Sequence, residues 1–404
     1  MYNLPKYMLK SRLQLRLLYI LPYLDPSFGG PVSTTLALAK EMVTRKHHVT
    51  VLATNLSEGG KSLFQVPKLY PFKIVVVPTL LPLLAWRFRL FFSWEQIWWF
   101  WLHHSQFDIV HFQDYYVLTY IVIGLLCKWY HIPFFITPHG SFDFSPARGK
   151  VLLKKLYYHL GIGWLSQAAN GIHAISEPEK INIKKLLPRG IVIWLPNLVP
   201  AISPTSISWK KKLHLSPRSR CIIFLGRLYS LKGVEELVDG FIFFVNATKD
   251  KTTHLLLAGP DAGLQSVLEL KRVASSISSR IHFTGTVTGR SKAALIRDAI
   301  CLCLLSKSEG FPTVVVEAAS AGVPSLCTQE CNVNSLFQTR GAFLTTRDTP
   351  SVADALATIL RPKVYRQMGK QAKRWYQSMY SPSILALRYE KMYYQLGRRT
   401  SSRY

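Results

Sequence analysis

Short apolar runs alternate with longer amphipathic segments along the first half of the chain. Apolar positions follow a helical spacing over residues 34–46, between the first two of these runs. Such alternation is typical of an α/β fold with parallel sheets, which is the class we predict. The first run follows several basic residues, but no small-residue cleavage site comes after it, so we interpret it as a strand rather than a signal sequence. The predicted strands of this half are 13–21, 48–54, 72–78, 107–113, 133–139, 171–176 and 191–196.

The alternation starts again after residues 197–218, a stretch rich in Pro and Ser without clear periodicity. We interpret this stretch as a linker, and therefore predict an N-terminal domain over 1–200 and a C-terminal domain over 201–383. A last helix pattern, within 384–404, has no strand after it, and we predict that it crosses back to the N-terminal domain. The predicted strands of this half are 221–227, 254–260, 280–287, 299–306, 323–328 and 341–346, and the predicted helices are 232–247, 291–299 and 313–321.

Two strongly apolar segments could belong to a membrane or to a protein core. Residues 115–127 end at Lys128, short of the roughly 18 residues that a spanning helix needs, so we predict a buried helix. Residues 83–102 hold five of the ten tryptophans, interrupted by two arginines and a glutamate. That mixture suits an amphipathic helix lying at the headgroup level of a bilayer, and it equally suits a core helix with a crowded aromatic face. Both interpretations stay open.

The composition describes a folded and strongly basic protein. Among 404 residues, 49% are hydrophobic, and 50 Lys and Arg stand against 22 Asp and Glu, for a net charge of +28. Both halves share the excess, so the whole chain attracts polyanions such as nucleic acid, anionic lipid headgroups or phosphorylated small molecules. Six cysteines are too few for a disulfide framework, and those at 301, 303, 327 and 331 lack the usual zinc spacing. We expect reduced, buried thiols in a cytosolic protein.

Two loops of the N-terminal half carry candidate binding residues. In parallel sheets, ligands bind outside the carboxyl ends of the strands, so a cleft between the two predicted domains is the expected site. Gly29 and Gly30 follow the first strand and precede a helix, where backbone N–H groups can approach a phosphate. His139, at the end of the strand 133–139, can bond to a substrate oxygen or a phosphate, or can be a structural loop histidine.

Two loops of the C-terminal half carry charged candidates. Arg227 follows a strand and Lys232 precedes a helix, and two such cations suit a diphosphate with about two negative charges. Glu309 and Glu317 are eight residues apart. If a helix starts near Phe311, Glu309 lies before its positive end and Glu317 about one and a half turns inside. The two acids therefore cannot form a close pair on one helix face, which argues against a hydrolase and favours two separate hydroxyl-binding carboxylates.

Taken together, these segments resemble glycosyltransferase family 4, whose members have the two-domain GT-B fold, and are similar to bacterial polysaccharide-assembly transferases. The most specific part is the E-x7-E spacing preceded by G-R-L-x3-K-G. The resemblance implies two Rossmann-like, doubly wound domains facing a central cleft, with the acceptor on the N-terminal side and the donor on the C-terminal side. The usual P-N-G turn reads Pro196-Asn197-Leu198 here, which leaves a ligand role for that loop open. The matching stretches are YLDPSFGGP, TPHGSFD, IHAISEPE, LPNLV, FLGRLYSLKG, LLLAGP, SEGFPTVVVEA and AGVPSLCT.

The resemblance implies a role for each charged candidate. A nucleotide-diphospho-sugar would bind mainly to the C-terminal domain. Arg227 and Lys232 would bind its diphosphate and stabilise the leaving group. Glu317 would hold the ribose hydroxyls, and Glu309 would contact hydroxyls of the donor sugar.

The resemblance also implies roles for backbone groups and for the histidine. The amides of Gly310 and Phe311, and those near Gly29 and Gly30, would help to neutralise phosphate charge. His139 would lie close to the donor sugar from the N-terminal domain. The predicted catalytic residues are His139, Glu309, Arg227 and Lys232.

The implied function is transfer of a sugar to a glycan acceptor, which we expect to be lipid-linked, by a hexosyltransferase-type enzyme of polysaccharide biosynthesis. The family retains anomeric configuration without a protein nucleophile, so positioning and charge stabilisation supply the catalysis. The chain has no D-x-D sequence, so we expect no metal and no cofactor. We expect a cytoplasmic protein, peripheral on the inner face of the cytoplasmic membrane, with an anionic membrane surface as a partner.

Three other functions stay in view. A nucleotide-sugar 2-epimerase or a glycogen-synthase-like enzyme would share the architecture, and an epimerase would work without an acceptor. A basic nucleic-acid-binding protein would show an RRM, KH or zinc-finger pattern, and the sequence has none, so we expect no nucleic-acid partner. An inactive scaffold is disfavoured by the intact set of Arg227, Lys232, Glu309 and Glu317.

Overall fold

The computed structural model describes residues 14–25, 28–57, 70–79, 82–88, 91–141 and 151–397. The chain divides into two compact units, each with its own sheet. The first is Met1–Leu198 with Leu385–Tyr404, and the second is Val199–Ile384. Parts of five expectations lie outside the described residues, namely residue 13 of the first strand, residues 26–27 and 142–143 of two motifs, residues 89–90 of the aromatic segment and residues 398–404 of the last helix segment.

The first unit contains a sheet of seven parallel strands in the order β3-β2-β1-β4-β5-β6-β7. Each of the seven strands predicted from the sequence is present. The central strands are continuous apolar runs because both faces of the sheet are covered. The strands are β1 Arg16–Ile20, β2 His48–Thr54, β3 Lys73–Val77, β4 Ile109–Gln113, β5 Phe134–Thr137, β6 Gly171–Ala174 and β7 Val192–Trp194.

The helices of the first unit mostly connect these strands. The predicted helix 34–46 begins earlier, at Gly30, because Pro31 fits the first turn of a helix. The helix predicted within 115–127 is confirmed as α4, and its inner face, with Ile123 and Cys127, is buried. The helices are α1 Gly30–Thr44, α2 Pro82–Phe88, α3 Trp94–His103, α4 Thr119–Trp129, α5 Val151–Tyr157, α6 Gly163–Ala168 and α7 Glu177–Leu186.

The aromatic segment 83–102 forms two helices, α2 and α3, instead of one. Phe91, between them, pairs through its backbone with Val117. Ser93 caps α3 by accepting a hydrogen bond from the backbone N–H of Gln96. Among the described residues, no helix is both long enough and apolar enough to cross a membrane.

The second unit contains a sheet of six parallel strands in the order β10-β9-β8-β11-β12-β13. All six strands predicted for this half are present, and the six cysteines of the chain are free and buried. The strands are β8 Arg220–Leu225, β9 Thr253–Ala258, β10 Ile281–Gly285, β11 Ala299–Leu304, β12 Ser325–Cys327 and β13 Ala342–Leu344. The helices are α8 Trp209–Lys212, α9 Val234–Thr248, α10 Gln265–Ala274, α11 Gly289–Asp298, α12 Thr313–Ser320, α13 Asn334–Gln338, α14 Thr349–Ile359 and α15 Pro362–Trp375.

The stretch 197–218, interpreted above as a linker, contains the boundary between the units, but its later part is packed. Asp298 accepts hydrogen bonds from Ser208 Oγ at 2.9 Å and from the backbone N–H of Trp209 at 2.6 Å. The indole of Trp209 is buried and donates to Ser291 O at 2.9 Å. From Ser208 onward this stretch is therefore part of the second unit.

The last helix, α16 Pro382–Gly397, belongs to the first unit from Leu385 onward. Its buried Glu390 accepts hydrogen bonds from the Arg45 guanidinium, and the His47 ring lies 3.2 Å from the same carboxylate. The hydroxyl oxygen of Tyr393 lies 2.8 Å from Nδ1 of His111 in β4. These polar contacts attach α16 to the β-sheet unit that begins the chain.

The strand orders explain where ligands can bind in each unit. Both orders are those of doubly wound, Rossmann-like sheets, so the predicted α/β class with two Rossmann-like units is confirmed. In each sheet the chain reverses its winding direction beside the first strand, between β1 and β4 and between β8 and β11. Loops at the carboxyl ends of these strands spread apart there, which leaves room for a ligand.

Candidate functional site

The reversal point of the second sheet gathers the charged candidates of that unit. Gly226 and Arg227 follow β8, and Ser306 and Glu309 follow β11, which is the neighbouring strand. The two loops are joined directly, because the backbone N–H of Lys307 donates to Leu231 O at 2.8 Å. The sequence motifs on both sides of this point therefore share one edge of the sheet.

Lys232 and Glu309 form an ion pair at this edge. Lys232 Nζ lies 2.6 Å from Glu309 Oε1, and Ser306 Oγ donates to the same oxygen at 2.6 Å. Lys232 ends a short 3₁₀ turn, and Gly233 follows with a φ of 66°. A Cβ on Gly233 would overlap Leu305 O, so only glycine lets the turn approach the loop after β11. The pairing directly couples a predicted phosphate-binding cation to a predicted sugar-binding acid.

A second loop holds the backbone of Glu309. The Glu309 N–H donates to Glu330 O at 3.1 Å, and Asn332 Nδ2 donates to Glu309 O at 2.6 Å. Thr328 Oγ1 donates to Ser306 O at 2.6 Å. Asn332 has a φ of 58°, a left-handed conformation that asparagine tolerates better than most residues. Ser306 lies only three residues before Glu309 in the same loop, whereas Asn332 comes from the loop after β12, so spacing along the chain did not point to Asn332.

Glu317 lies in the second turn of α12, and its environment differs from that of Glu309. The helix starts at Thr313, as predicted for 313–321 and two residues after Phe311, with Pro312 as its N-cap. Glu317 is buried, and Lys292 Nζ of α11 lies 2.6 Å from its Oε1. Its Oε2 is buried and has no hydrogen-bond partner within the described part of the chain. The two glutamates thus take different lysines as partners, and the sequence did not point to Lys292.

Three further candidates flank these pairs. Arg227 lies in the loop between β8 and the turn that carries Lys232. Gly310 and Phe311 connect Glu309 to α12, and the Phe311 ring stacks near Tyr380 with ring centres 6.2 Å apart. Since the Glu309 N–H is already bonded to the protein, any phosphate contact in this loop falls to the amides that follow it.

His139 lies two residues after the end of β5 in the first unit and has a φ of 51°. Its Nε2 lies 2.9 Å from Gln113 Oε1, at the end of β4. Burial lowers the pKa of His139 to about 3, and His173 nearby adds to the shift, so the ring is neutral. With Nε2–H donating to Gln113, Nδ1 is an acceptor, and it is buried without a partner among the described residues. The ring therefore suits a hydroxyl donor; a phosphate, which the sequence left open, needs a donor or a cation.

The loop after His139 is held by a residue that the sequence analysis missed. Glu179 accepts a hydrogen bond from Gly140 N at 2.6 Å and one from Ile175 N at 2.8 Å. Ser176 caps α7 by accepting from the Glu179 N–H. Ser-x-x-Glu before a helix is the capping-box pattern, so this residue was recognisable from the sequence.

Gly29 and Gly30 begin α1, after β1. Gly29 is the N-cap with a φ of 90°, and a Cβ there would meet nothing within 4 Å. The requirement for glycine is therefore conformational, and the space before the helix is open. The first N–H groups of a helix have no partner within it, so this end can donate to an anion.

The described residues contain no group of three or more His, Cys, Asp or Glu arranged for a metal ion. This holds for the cysteines of β11 and β12, which the sequence left as a remote zinc possibility. Cys331 instead donates its thiol to Leu304 O at 3.1 Å.

Comparisons with known proteins agree on one family. The model of Glycosyltransferase Family 4 matches residues 28–200, and that of Glycosyl transferases group 1 matches residues 219–362. The chain is 26% identical over 192 residues to N-acetyl-alpha-D-glucosaminyl L-malate synthase of Bacillus anthracis, covering 47% of this chain and 49% of the relative. It is 27% identical over 248 residues to a putative teichuronic acid biosynthesis glycosyltransferase, TuaC, of Bacillus subtilis, covering 59% and 57%. The chain thus matches about half the length of these relatives.

Solved structures show the same fold at lower identity. Sucrose-phosphate synthase from Thermosynechococcus elongatus has a TM-score of 0.77 at 18% identity, covering 95% of this chain and 99% of that one. Anabaena HepE in complex with UDP-glucose has a TM-score of 0.71 at 16% identity, covering 95% and 100%. The two Rossmann-like units are those of the GT-B fold.

Proposed function

The chain belongs to glycosyltransferase family 4, and from this premise we propose that it moves a sugar from a nucleotide-diphospho-sugar to a glycan acceptor. The observation that carries the proposal is the pair of lysine–glutamate contacts in the second unit. Lys232 with Glu309, and Lys292 with Glu317, place cations and hydroxyl-binding carboxylates where a doubly wound sheet binds ligands.

In the proposed donor complex, the diphosphate competes with Glu309 for the ammonium of Lys232. Two phosphate charges attract the lysine more strongly than one carboxylate does, and Arg227 can bind the same group through paired N–H donors. Ser306 keeps its bond to Glu309, whose released oxygen then accepts from a hydroxyl of the donor sugar. The cations stabilise the departing nucleoside diphosphate, as a metal-independent transfer requires.

The buried Oε2 of Glu317 provides the proposed contact to the ribose. An unpartnered carboxylate oxygen in a buried position is costly unless a ligand donates to it. A ribose hydroxyl supplies that hydrogen, while Lys292 balances the charge of the carboxylate at its other oxygen. This arrangement favours a ribonucleotide donor over its deoxy counterpart.

In the first unit, we assign His139 the role of accepting a hydrogen bond from a substrate hydroxyl at Nδ1. Gly29 and Gly30 provide backbone donors at the N-terminus of α1. Because members of the family retain anomeric configuration, we propose retention here as well, by same-face displacement without a covalent protein nucleophile. The charge that develops is met by the cations of the second unit.

For the acceptor, we propose a lipid-linked glycan in cell-surface polysaccharide biosynthesis, reached from the cytoplasmic face of the membrane. The relative named for teichuronic acid biosynthesis supports the assignment to polysaccharide assembly. The basic charge of the chain and the exposed tryptophans of α3 support a peripheral position at an anionic membrane.

The test uses Lys232→Ala and Glu309→Ala in the full chain. A panel of nucleotide sugars is first screened for a rise in melting temperature, which identifies the donor by mass action. Release of nucleoside diphosphate from that donor, with membrane lipid extract as acceptor, should then fall about 10²–10³-fold in each variant. Addition of EDTA should leave the wild-type rate unchanged.

The matched control is Lys271→Ala. Lys271 also lies 2.6 Å from a carboxylate, that of Asp239, and is 31% exposed where Lys232 is 30% exposed. It should release nucleoside diphosphate at the wild-type rate. Near-normal turnover in either site variant would reject the assigned site. Formation of an epimerised donor without any acceptor would show that the enzyme is an epimerase and not a transferase.

A further inference from the structure

The outer side of α3 bears on whether the segment 83–102 lies at a membrane or packs in the core, which the sequence left open. Gln96, Ile97 and Phe100 are buried, so one side of this helix packs into the first unit. Trp94, Trp98 and Trp101 share the opposite side and are exposed, as expected for residues four and then three apart. The helix therefore has a core side and an unpartnered aromatic side.

The neighbouring helix α4 extends the exposed apolar surface. Its inner residues are buried, whereas Leu125 is exposed and Trp129 is 78% exposed. The two helices adjoin at both ends. Ser93 N donates to Thr119 Oγ1 at 2.8 Å at one end, and the rings of His104 and Tyr130 stack 3.6 Å apart, just beyond the helices, at the other.

A third helix, α6, also packs against α4. Gly124 of α4 is so close to α6 that a Cβ would overlap Leu165 and lie 3.8 Å from the Trp164 ring. Trp164 is itself exposed. Monomeric proteins usually expose large apolar side chains singly, so several of them on three packed helices indicate a binding surface. We call this surface the aromatic face and define it by Trp94, Trp98, Trp101, Leu125, Trp129 and Trp164.

The charge near the aromatic face is positive. Lys128 lies between the exposed residues of α4, and Lys154 and Lys155 lie on α5, the helix that precedes α6 along the chain. The sequence has no Asp or Glu in 115–141 or in 151–176. On α3 the single acid, Glu95, accepts a hydrogen bond from Ser93 Oγ at 3.1 Å.

This combination decides between possible occupants. In a two-fold dimer, each surface meets its own copy, so several lysines would meet a surface whose single acid, Glu95, is already bonded to Ser93. Tryptophan rings prefer the headgroup level of a bilayer, and each lysine near an anionic leaflet adds to the attraction. An anionic lipid surface therefore satisfies both the apolar and the charged parts of the face.

We propose that the aromatic face docks the first unit on an anionic lipid bilayer, with the tryptophans at headgroup depth and the lysines on lipid phosphates. The inference names the surface for the peripheral membrane position proposed above. It does not depend on sugar transfer, since lipid binding is measured without donor or acceptor.

The experiment is flotation of the full chain with vesicles of phosphatidylcholine, with and without phosphatidylglycerol. We expect binding that requires phosphatidylglycerol, and a fall of about tenfold or more in vesicle partition for a Trp98→Ser, Trp129→Ser double variant. The control is a Leu270→Ser, Val273→Ser variant of α10 in the second unit, where Leu270 is 72% exposed. It should bind as the wild type does.

A second pair of variants tests the charge. Lys128→Gln with Lys155→Gln should weaken binding and its salt dependence, whereas Lys363→Gln with Lys370→Gln, exposed on α15, should not. An unchanged melting temperature shows that each variant is folded.

Each contrary result overturns the proposal. These results are no binding of the wild type to phosphatidylglycerol vesicles, equal loss in the control variants, or binding by the tryptophan variant at the wild-type level. A concentration-dependent dimer that the tryptophan variant abolishes would assign the face to a second copy instead. Donor-induced thermal stabilisation should be the same in all variants, so failure of docking and failure of the proposed transfer are separately visible.

Discussion

Acidification should destabilise the first unit through its buried histidines. His173 Nε2 lies 2.5 Å from Leu195 O, which can only accept, so this nitrogen carries the proton. His173 Nδ1 then accepts from Thr137 Oγ1 at 2.8 Å, and Thr137 in turn accepts from His111 Nε2 at 2.7 Å. His111 Nδ1 accepts from the Tyr393 hydroxyl at 2.8 Å. Every side chain in this series of hydrogen bonds is neutral. A proton added to either ring would leave one N–H donor without an acceptor.

The sign of the effect follows from the pKa values. Burial lowers the pKa of His173 to about 4 and that of His139 to about 3, from 6.5 in the unfolded chain. Burial also holds the pKa of His111 well below 6.5. As the pH falls below 6.5, the unfolded chain binds protons before the folded one does. The stabilisation is therefore complete above 6.5 and is lost as the pH falls towards the folded values.

The magnitude at about pH 5 is large. The pH lies roughly 1.5 units below the unfolded value, and each unit costs about 1.4 kcal/mol per histidine. His173 and His139 should therefore each remove about 2 kcal/mol from the free energy of unfolding, or about 4 kcal/mol together. A loss of that size is a large part of the stability of a typical domain.

The assay is amide hydrogen exchange of the β4, β5 and β6 segments between about pH 7 and pH 5, corrected for the intrinsic exchange rate. Protection should fall with the pH in the wild type. In His173→Gln, one titrating ring is missing, so the slope should be smaller by about 1.4 kcal/mol per pH unit. His214→Gln, at an exposed position, should leave the slope unchanged. Equal slopes in the wild type and in His173→Gln would refute the assignment of buried neutral rings.

Two further predictions concern ion pairs. Lys292→Met should raise the KM for the donor about tenfold with little change in kcat, because Glu317 loses the cation that holds it. Lys292→Arg should restore the low KM. Initial rates measure both constants, and a loss of kcat without a change in KM would contradict a positioning role. Glu390→Gln should cost about 3 kcal/mol in urea unfolding, because the partly buried Arg45 loses its charged partner. Asp108→Asn, which breaks a half-exposed pair, should cost about 1 kcal/mol or less, and equal losses in the two variants would contradict the reasoning.

The strands were predictable because buried parallel strands consist of continuous apolar runs. The runs overestimated the strand lengths at their carboxyl ends, where the hydrogen-bonded ladder stops but apolar residues continue. The predicted strand 133–139 illustrates this, since β5 ends at Thr137 and His139 already has a left-handed backbone. The overestimate falls at the carboxyl ends of the strands, where loops start, so it hid the conformation of those loops.

Several helices were missed because their apolar residues are few or interrupted. α15 buries only one narrow side, with Met368, Ala372 and Trp375, while lysines and arginines fill the rest of the helix. Between α5 and α6, Gly161 has a φ of 129°, which breaks the helical repeat. A helix that packs through a narrow apolar stripe gives a weak periodic signal in the sequence, even though the residues of that stripe are buried in the fold.

The side chains that support the site could not be read from spacing. Lys232 and Glu309 lie in motifs, and Ser306 is a local neighbour of Glu309, but Lys292 reaches Glu317 from α11 and Asn332 reaches Glu309 from the loop after β12. Glu179 resembles Ser306 in this respect, because Ser-x-x-Glu before a helix is a local pattern. Local patterns therefore indicated the charged residues, and only the topology revealed the distant groups that hold them.

The lysine–glutamate pairs explain how a basic chain can select a nucleoside diphosphate. An overall charge of +28 attracts every anion and is screened by salt beyond about 10 Å. In the proposed site, however, Lys232 and Lys292 are already neutralised by their glutamates, so a simple anion gains little there. A ligand binds favourably only if it replaces the carboxylate at Lys232 and at the same time donates hydrogen bonds from its hydroxyls to Glu309 and Glu317. A diphosphate linked to a ribose and a sugar does both, whereas inorganic phosphate or a nucleic-acid backbone does only the first.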